Sequence, residues 1–266
     1  MDYLYNITNG WKMLKEMPKL KAKDISNYDE PYRMYLYTYY GYIKELRKYD
    51  LESLSLIIND NNDNLFLLAA YVGNIKIMKY LESVGVNINH KNVYKLSAYL
   101  TAVYNGNIKS MKYLEQNGAD IHHIDYQKCN AYLFAVEQNN LKIMKYLESR
   151  GLNIHLIDRI GLNAYLTTGF CNVDIKIMKY LENIGININR KNIVGENHFN
   201  MIAYYYNTKN KPKYNVWCYK TKHRKLNSFK IMFFYFVYIK FAQIEYIIYT
   251  YIWTYIFPIL DTIGNH

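Results

Sequence analysis

The phrase Lys79-Tyr80-Leu81-Glu82 occurs four times in this chain of 266 residues. The further copies, separated by 33, 33 and 34 residues, are Lys112-Tyr113-Leu114-Glu115, Lys145-Tyr146-Leu147-Glu148 and Lys179-Tyr180-Leu181-Glu182. Each copy is followed, after two further residues, by a glycine: Gly85, Gly118, Gly151 and Gly185. Self-similarity at a fixed period is typical of a repeat array, in which each unit stacks on its neighbours to bury an apolar face. The repeated phrase therefore decides the fold.

Each unit begins with a predicted helix that is apolar on all sides. The aligned stretches are residues 97–103, 130–136, 163–166 and, more loosely, 64–70. Their small and apolar residues favour a short helix that is packed on both sides. A short link follows, and its last asparagine, such as Asn107, is placed to cap the next helix with its side-chain oxygen. The unit 163–196 has one residue more than its predecessor here, so we expect a longer link around Gly169-Phe170-Cys171-Asn172.

The second predicted helix carries the repeated phrase and is amphipathic. Ile75, Met78 and Leu81 follow at steps of three residues and so share one stripe of the helix. The equivalent methionines are Met111, Met144 and Met178. We expect the methionines to lie in the core between units. Lys79 and Glu82 are expected to form an i,i+3 pair on the solvated face, where such a pair contributes a few tenths of a kcal/mol.

A loop closes each unit. The glycine after the second helix, such as Gly118, fits a helix end with positive φ. The next residues are polar, apolar and polar, as in Asp120-Ile121-His122, which predicts a short extended segment. The loop returns at Lys95, Lys128, Gly161 and Gly195. We therefore expect a hairpin-like loop that protrudes from each helix pair.

The repeat spacing divides the chain into three parts. Residues 1–30 are a predicted leader or cap with a short helix around residues 11–15. Residues 31–208 are the repeat array, and residues 209–266 are a basic linker followed by an apolar tail rich in Tyr, Ile and Phe. The predicted units are 31–63 (degenerate), 64–96, 97–129, 130–162, 163–196 and 197–208 (partial).

The units resemble the ankyrin repeat. Gly118-Ala119-Asp120-Ile121 stands where that family has Gly-Ala-Asp-Val, and Gly106-Asn107-Ile108 stands where it has Gly-His-Leu. The family's Thr-Pro-Leu-His opening is Ser97-Ala98-Tyr99-Leu100 here, so the hydrogen bonds that tie neighbouring loops in the family lack their usual side chains. The resemblance covers roughly residues 31–208. It implies an all-α ankyrin-repeat solenoid of 33- to 34-residue helix-turn-helix units with protruding hairpin loops.

The amino-acid usage of the repeat units shows a second resemblance. The phrases Asn-Ala-Tyr-Leu at 130–133 and Ile-Lys-Ile-Met-Lys-Tyr-Leu-Glu at 75–82, with heavy use of Asn, Ile, Tyr and Lys, are similar to ankyrin proteins of giant amoeba viruses of the mimivirus type. This implies a viral protein that acts on a host partner in the host cytoplasm. Three widely spaced cysteines, Cys129, Cys171 and Cys218, do not form a disulfide framework, which agrees with an intracellular setting.

The tail combines a basic cluster with an apolar stretch. Residues 209–225 contain seven basic residues and no acid, and residues 229–260 are almost wholly apolar and aromatic. Three interpretations remain open: a diverged repeat helix, a membrane segment, and decayed sequence without a selected function. Residues 241–260 have the length of about 20 residues that spans a bilayer, whereas Lys240 and Glu245 disfavour insertion.

The net charge of +11 raises the question of nucleic-acid binding. Most of the excess is in the tail, since residues 201–266 carry 9 basic and 2 acidic side chains. Tyr214, Trp217 and Tyr219 lie among the basic residues, and such a mixture suits phosphate contact and base stacking. A basic linker beside an apolar segment has the same composition. Nucleic-acid binding through the linker is therefore the less favoured alternative.

The sequence lacks the motifs of catalysis and cofactor binding. It contains no Gly-x-Gly-x-x-Gly, P-loop, His-Glu-x-x-His or paired Cys-x-x-Cys. His122 and His155 occupy one position in successive units, about 8–10 Å apart, whereas zinc ligands lie within about 2.1 Å of the ion. We therefore expect a protein that is not an enzyme and uses no cofactor or metal.

The predicted function is a scaffold or adaptor that binds a protein partner along the concave face of the solenoid. Carrying over the contact positions of the ankyrin family gives Lys91, Val93, Tyr94, Tyr104, Ile124, Tyr126, Gln127, Glu137, Ile157, Arg159, Ile160, Lys191, Ile193 and Val194. The alternative for Val93, Ile124, Ile157 and Ile193 is that they only pack loop against loop, since Val and Ile are usually buried. A membrane-tethered adaptor, anchored by the apolar tail, is the alternative function.

Overall fold

The computed structural model describes residues 19–30, 32–55, 61–171 and 174–198. They belong to the first of the two units into which the chain divides, Met1–Asn210. Every regular element among them is an α-helix. The helices are α1 (Ala22–Ile25), α2 (Tyr32–Tyr40), α3 (Ile43–Leu46), α4 (Leu51–Leu54), α5 (Leu65–Val72), α6 (Ile75–Ser83), α7 (Ala98–Tyr104), α8 (Ile108–Gln116), α9 (Ala131–Glu137), α10 (Leu141–Ser149), α11 (Ala164–Phe170) and α12 (Ile175–Asn183).

Several predictions concern residues that the structure does not describe. These are the leader helix around residues 11–15, the partial unit beyond residue 198, the basic linker and the apolar tail.

The helices stack in two layers. The first helices of successive units pack side by side in the order α2, α5, α7, α9 and α11. The second helices α6, α8, α10 and α12 each pack on the first helix of their own unit. The chain thus advances by one helix pair per unit, which is the all-α solenoid that the repeated phrase predicts.

The first helices are buried because neighbours cover them on both sides. All seven residues of α7 are buried. Side-chain caps begin these helices: Oδ1 of Asn64 accepts a hydrogen bond from the Leu67 amide at 2.9 Å, and Oδ1 of Asn163 accepts one from the Leu166 amide at 2.9 Å. Such a cap contributes about 1 kcal/mol, so the polar residue that opens each apolar stretch stabilises the start of its helix.

The second helices bury the methionine stripe, as predicted. Met78, Met111, Met144 and Met178 are fully buried. Ile75, on the same predicted stripe, is half-buried, whereas Ile77 joins Met78 and Leu81 in the core. Ile77 and Leu81 are four residues apart and so lie above one another on the face turned to the first helix.

The predicted caps of the second helices are confirmed in part. Oδ1 of Asn74 accepts from the Ile77 amide at 3.2 Å, and Oδ1 of Asn140 accepts from the Ile143 amide at 3.1 Å. Asn107 does not cap α8. Its side-chain amide donates to the Tyr71 carbonyl of the preceding unit at 2.6 Å, so this residue ties two units together.

The repeated phrase joins successive units through contacts that the sequence did not predict. Glu82 accepts a hydrogen bond from the Tyr113 hydroxyl of the next unit. The Lys79 ammonium lies 6.0 Å from the centre of the same Tyr113 ring. The same arrangement links the following units, with Lys112 over Tyr146 at 5.8 Å and Lys145 over Tyr180 at 5.2 Å. In each of these pairs, the Lys and Glu of one copy of the phrase contact the Tyr of the next copy.

The ends of the second helices and the links agree with the sequence. Gly85, Gly118, Gly151 and Gly185 all have positive φ. The link between α11 and α12 is residues 171–174, one residue longer than residues 138–140 between α9 and α10. The predicted extended segment after the glycine is wrong, since residues 87–90 form turns. There Oδ1 of Asn87 accepts from the Asn89 amide at 2.9 Å and closes a local turn in place of a strand.

Candidate functional site

The tips of four consecutive loops lie side by side and are joined through the backbone. We refer to residues 91–95, 124–128, 157–161 and 191–195 as the loop strip. The hydrogen bonds run from the amides of Val93, Tyr126, Arg159 and Ile193 to the carbonyls of Asn61, Tyr94, Gln127 and Ile160, at 3.0, 2.9, 2.7 and 3.0 Å. Because one such bond connects each tip to the one before, the loops form a continuous surface despite the missing family side chains.

Side chains just before the loop strip add further ties between loops. Nε2 of His90 bonds to the Asn62 carbonyl at 2.6 Å, and Nε2 of His123 bonds to the Lys95 carbonyl at 2.6 Å. A carbonyl can only accept, so Nε2 carries the proton in both rings. Burial lowers the pKa of His123. These two histidines therefore tie neighbouring loops together.

An inward Asn or Asp fixes the shape of each tip. Oδ1 of Asn92 accepts from the amides of Tyr94 and Leu96 at 3.0 and 2.9 Å. Oδ1 of Asp158 accepts from the amides of Ile160 and Leu162 at 3.0 and 2.7 Å. Asp125 and Asn192 hold the same position in the other loops. This inward bonding turns the residues on either side toward solvent.

The aliphatic side chains of the loop strip are exposed, and so is Tyr126. The exposed fractions of Val93, Ile124, Tyr126, Ile157, Ile160, Ile193 and Val194 are 54%, 40%, 46%, 38%, 40%, 70% and 71%. These fractions argue against the alternative in which Val93, Ile124, Ile157 and Ile193 only pack loop against loop. A contiguous row of exposed aliphatic side chains is a common feature of interaction surfaces.

The other predicted contact residues occupy different settings. Lys91, Arg159 and Lys191 are exposed on the loop strip, and Tyr94, Gln127 and Glu137 are half-buried. Tyr104 is buried on α7, with its ring edge-to-face on Phe134 of the next unit at 6.1 Å. Tyr104 therefore fills the space between units, and the exposed part of the predicted surface is concentrated on the loops.

Tyr126 and Arg159 form one composite feature across two loops. The Arg159 guanidinium lies 4.3 Å from the centre of the Tyr126 ring. Its hydrogen bond and positive charge lower the pKa of the Tyr126 phenol. A flat cation stacked on an aromatic ring presents both an apolar edge and charged donors. The sequence could not show this contact, because the two residues are 33 positions apart.

The structure brings together neither a metal site nor a membrane span in the part of the chain that it describes. Among those residues, no three His, Cys, Asp or Glu side chains group so as to hold a metal ion. No described helix has the length and apolarity that crossing a bilayer requires.

A comparison with known families identifies the repeat. Residues 65–158, which span α5 to α10, match the family model described as ankyrin repeats, in three copies. No curated protein matches this chain. Together with the stacked helix pairs, the family match identifies the fold as an all-α ankyrin-repeat solenoid.

Proposed function

We propose that this ankyrin-repeat solenoid is a non-enzymatic scaffold or adaptor that binds a partner protein through its loop strip. Ankyrin repeats generally mediate protein–protein interaction, and solenoids do so through extended surfaces built from equivalent positions of successive units. The four loops of residues 91–95, 124–128, 157–161 and 191–195 provide such a surface here.

One observation carries the proposal: each loop has an inward Asn or Asp at the same position, and most of the residues that vary between loops are exposed. Position by position, the loops share an inward Asn or Asp, whereas the outward positions differ. Val93, Tyr126, Arg159 and Ile193 are equivalent and differ in shape and charge. A surface with a constant frame and varied exposed side chains is suited to recognising a particular partner.

We further propose that the protein comes from a giant amoeba virus and acts on a host protein in the host cytoplasm. The support for this is the residue usage and phrasing of the repeat units. Membrane tethering by residues 229–260 would determine where in the cell the protein acts. It is compatible with binding of a partner through the loop strip.

The proposal can be tested by affinity capture from amoebal lysate with the full chain as bait. The loop variant carries Val93→Ser, Ile160→Ser and Ile193→Ser. The matched control carries Lys76→Ala, Lys109→Ala and Lys142→Ala, which change three exposed residues on second helices. We expect specific proteins to be retained by the parent and by the control but lost from the loop variant.

Two results would contradict the proposal. One is retention of the same proteins by the loop variant. The other is loss of the proteins from both variants to the same degree. Circular dichroism must first show equal helix content in all three proteins, so that a loss of binding cannot come from unfolding.

A further inference from the structure

The loop strip carries an unbalanced charge. Its twenty residues contain five cations, Lys91, Lys95, Lys128, Arg159 and Lys191, and two acids, Asp125 and Asp158. All five cations are exposed. The two acids point into their loops, where Oδ1 of Asp125 accepts from the Cys129 amide at 2.7 Å and Oδ1 of Asp158 accepts from the Leu162 amide at 2.7 Å. The side that faces solvent is therefore cationic.

Every loop of the strip combines at least one exposed aliphatic side chain with at least one of these cations. Lys91 is followed by Val93, Lys128 lies in the same loop as Ile124, and Arg159 stands between Ile157 and Ile160. Each aliphatic residue is at least 38% exposed. A partner that covers the strip must therefore supply apolar contact and negative charge in close alternation.

We infer that the loop strip binds an extended, acidic segment of a partner protein in which aliphatic side chains alternate with Asp or Glu. This inference rests on the proposed function and specifies the chemistry of the partner. Exposed lysines and Arg159 contact the carboxylates, and Val93, Ile160 and Ile193 contact the aliphatic side chains.

The spacing of the loops favours an extended segment. Successive tips are joined by one backbone hydrogen bond each, so they follow the stacking of the helices, at about 8–10 Å per unit. An extended chain rises about 3.3 Å per residue. One step from a loop to the next thus corresponds to about three residues of the segment, and the three steps between the four loops correspond to about nine.

Nucleic acid is a poorer fit to the same surface. Phosphate groups would use the cations but would leave the aliphatic side chains without apolar partners. Base stacking requires exposed aromatic rings. Tyr126 is exposed, but Arg159 covers one face of its ring, and Tyr94 is half-buried. Val93, Ile157, Ile160 and Ile193 account for most of the exposed apolar positions.

Selection from a phage-displayed library of random 12-residue peptides tests the inference, with the full chain as bait. Enriched peptides are synthesised with a fluorophore, and their binding is followed by anisotropy at low and high salt. We expect enrichment of Asp and Glu together with Leu, Ile or Val, and affinity that falls with salt.

Charge reversal gives the decisive comparison. We expect Lys128→Glu with Arg159→Glu to weaken binding about ten-fold or more, and the Glu→Gln version of the peptide to lose a similar factor. The control Lys109→Glu with Lys142→Glu, on the exposed faces of α8 and α10, should change affinity less than about two-fold.

The outcomes separate this inference from the proposed function. Peptides that are neutral or basic, or that need Ile160 but tolerate Arg159→Glu, would overturn the acidic segment and leave the loop surface in place. Peptides insensitive to both Ile160→Ser and Arg159→Glu would remove the loop strip as a binding surface. If the folded chain enriches no peptide, the inference that the strip binds an extended segment is overturned. If the chain binds a single-stranded oligonucleotide tightly and Arg159→Glu abolishes this binding, the strip is assigned to nucleic acid.

Discussion

The hydroxyl of Tyr146 donates a hydrogen bond to Oε2 of Glu115, in the unit before it, at 2.8 Å. The other oxygen of Glu115 accepts from the Tyr99 hydroxyl at 2.8 Å, and Arg150 Nε lies 3.1 Å from Oε2. One carboxylate thus connects both helices of its own unit to the second helix of the next. Tyr132, Glu148 and Tyr180 repeat the arrangement one unit later.

Removing the Tyr146 hydroxyl should lower the free energy of unfolding. Hydrogen bonds to charged groups contribute about 1.5–3 kcal/mol, and Tyr146 is partly exposed, so we expect Tyr146→Phe to cost about 1–2 kcal/mol in urea unfolding. The control is Tyr28→Phe, because Tyr28 is exposed and should change stability by less than about 0.5 kcal/mol. Equal stability of both variants would contradict the role of this hydroxyl.

The same contact makes stability sensitive to alkaline pH. Burial and the hydrogen bond to Glu115 raise the pKa of Tyr146 to about 12. The folded state therefore holds this proton more tightly than the unfolded chain, whose tyrosines titrate near pH 10. The contribution is complete below pH 10 and is lost as pH rises toward 12. Urea unfolding between pH 9 and 11 should show a smaller decline for Tyr146→Phe than for the parent, and an unchanged slope would contradict the assignment.

Replacing Asp125 by Asn should stabilise the protein at neutral pH. Oδ2 of Asp125 is buried and has no hydrogen-bond partner among the residues that the structure describes, and burial raises the pKa of this carboxyl to about 6. The ionised form is therefore disfavoured in the folded state, so the parent loses stability as pH rises from about 4 to about 6. Asparagine occupies the equivalent position of two other loops, at Asn92 and Asn192.

We expect Asp125→Asn to gain about 1–2 kcal/mol at pH 7 and little at pH 4, measured by urea unfolding. The control Asp120→Asn changes an exposed carboxylate, and its effect should stay within about 0.5 kcal/mol at both pH values. A gain for Asp125→Asn that is as large at pH 4 as at pH 7 would show that ionisation is not the cause.

Gly161 and Gly195 provide a matched pair at one position of successive loops. Both have positive φ, at +87° and +81°. A Cβ added at Gly161 would lie 2.9 Å from the amide nitrogen of Ile193, whereas one at Gly195 meets no heavy atom of the described residues within 4 Å. The φ value costs both alanine variants about 1 kcal/mol. Only Gly161→Ala should also disturb the hydrogen bond from Ile193 to Ile160.

We therefore expect Gly161→Ala to be the more destabilising variant by at least about 1 kcal/mol. Thermal unfolding followed by circular dichroism measures the difference. Amide hydrogen exchange should show faster exchange at Ile193 in Gly161→Ala than in Gly195→Ala. Equal melting temperatures and equal exchange would mean that the two loops do not rely on this close approach.

Much of the repeat array could be predicted because the sequence patterns that define it lie within a single unit. The period of the repeated phrase, the glycines after it and the methionine at every unit follow from helix geometry, and Met111 is buried as expected. The sequence of the helix alone did not determine which of Ile75 and Ile77 is buried. It depends on the direction from which α5 packs against α6, and a stripe of three-residue steps does not contain that direction.

For the loop strip, too, the sequence predicts some features and not others. The equivalence of Val93, Tyr126, Arg159 and Ile193 follows from counting residues along the repeat, so the sequence could nominate them. Their exposure, and the burial of Tyr104, depend on how neighbouring units cover one another. The stacking of Arg159 on Tyr126 likewise arises only when two loops lie side by side.

By itself, the sequence determined the repeat, the helix pair of each unit and the positions that vary between loops, because each depends on residues within one unit. Only the tertiary structure decided that Glu115 binds tyrosines of two units and that the loop strip is cationic and apolar toward solvent. The physical reason is that hydrogen bonds, ring contacts and burial between units join residues about 33 positions apart, and stacking alone determines which of these atoms meet.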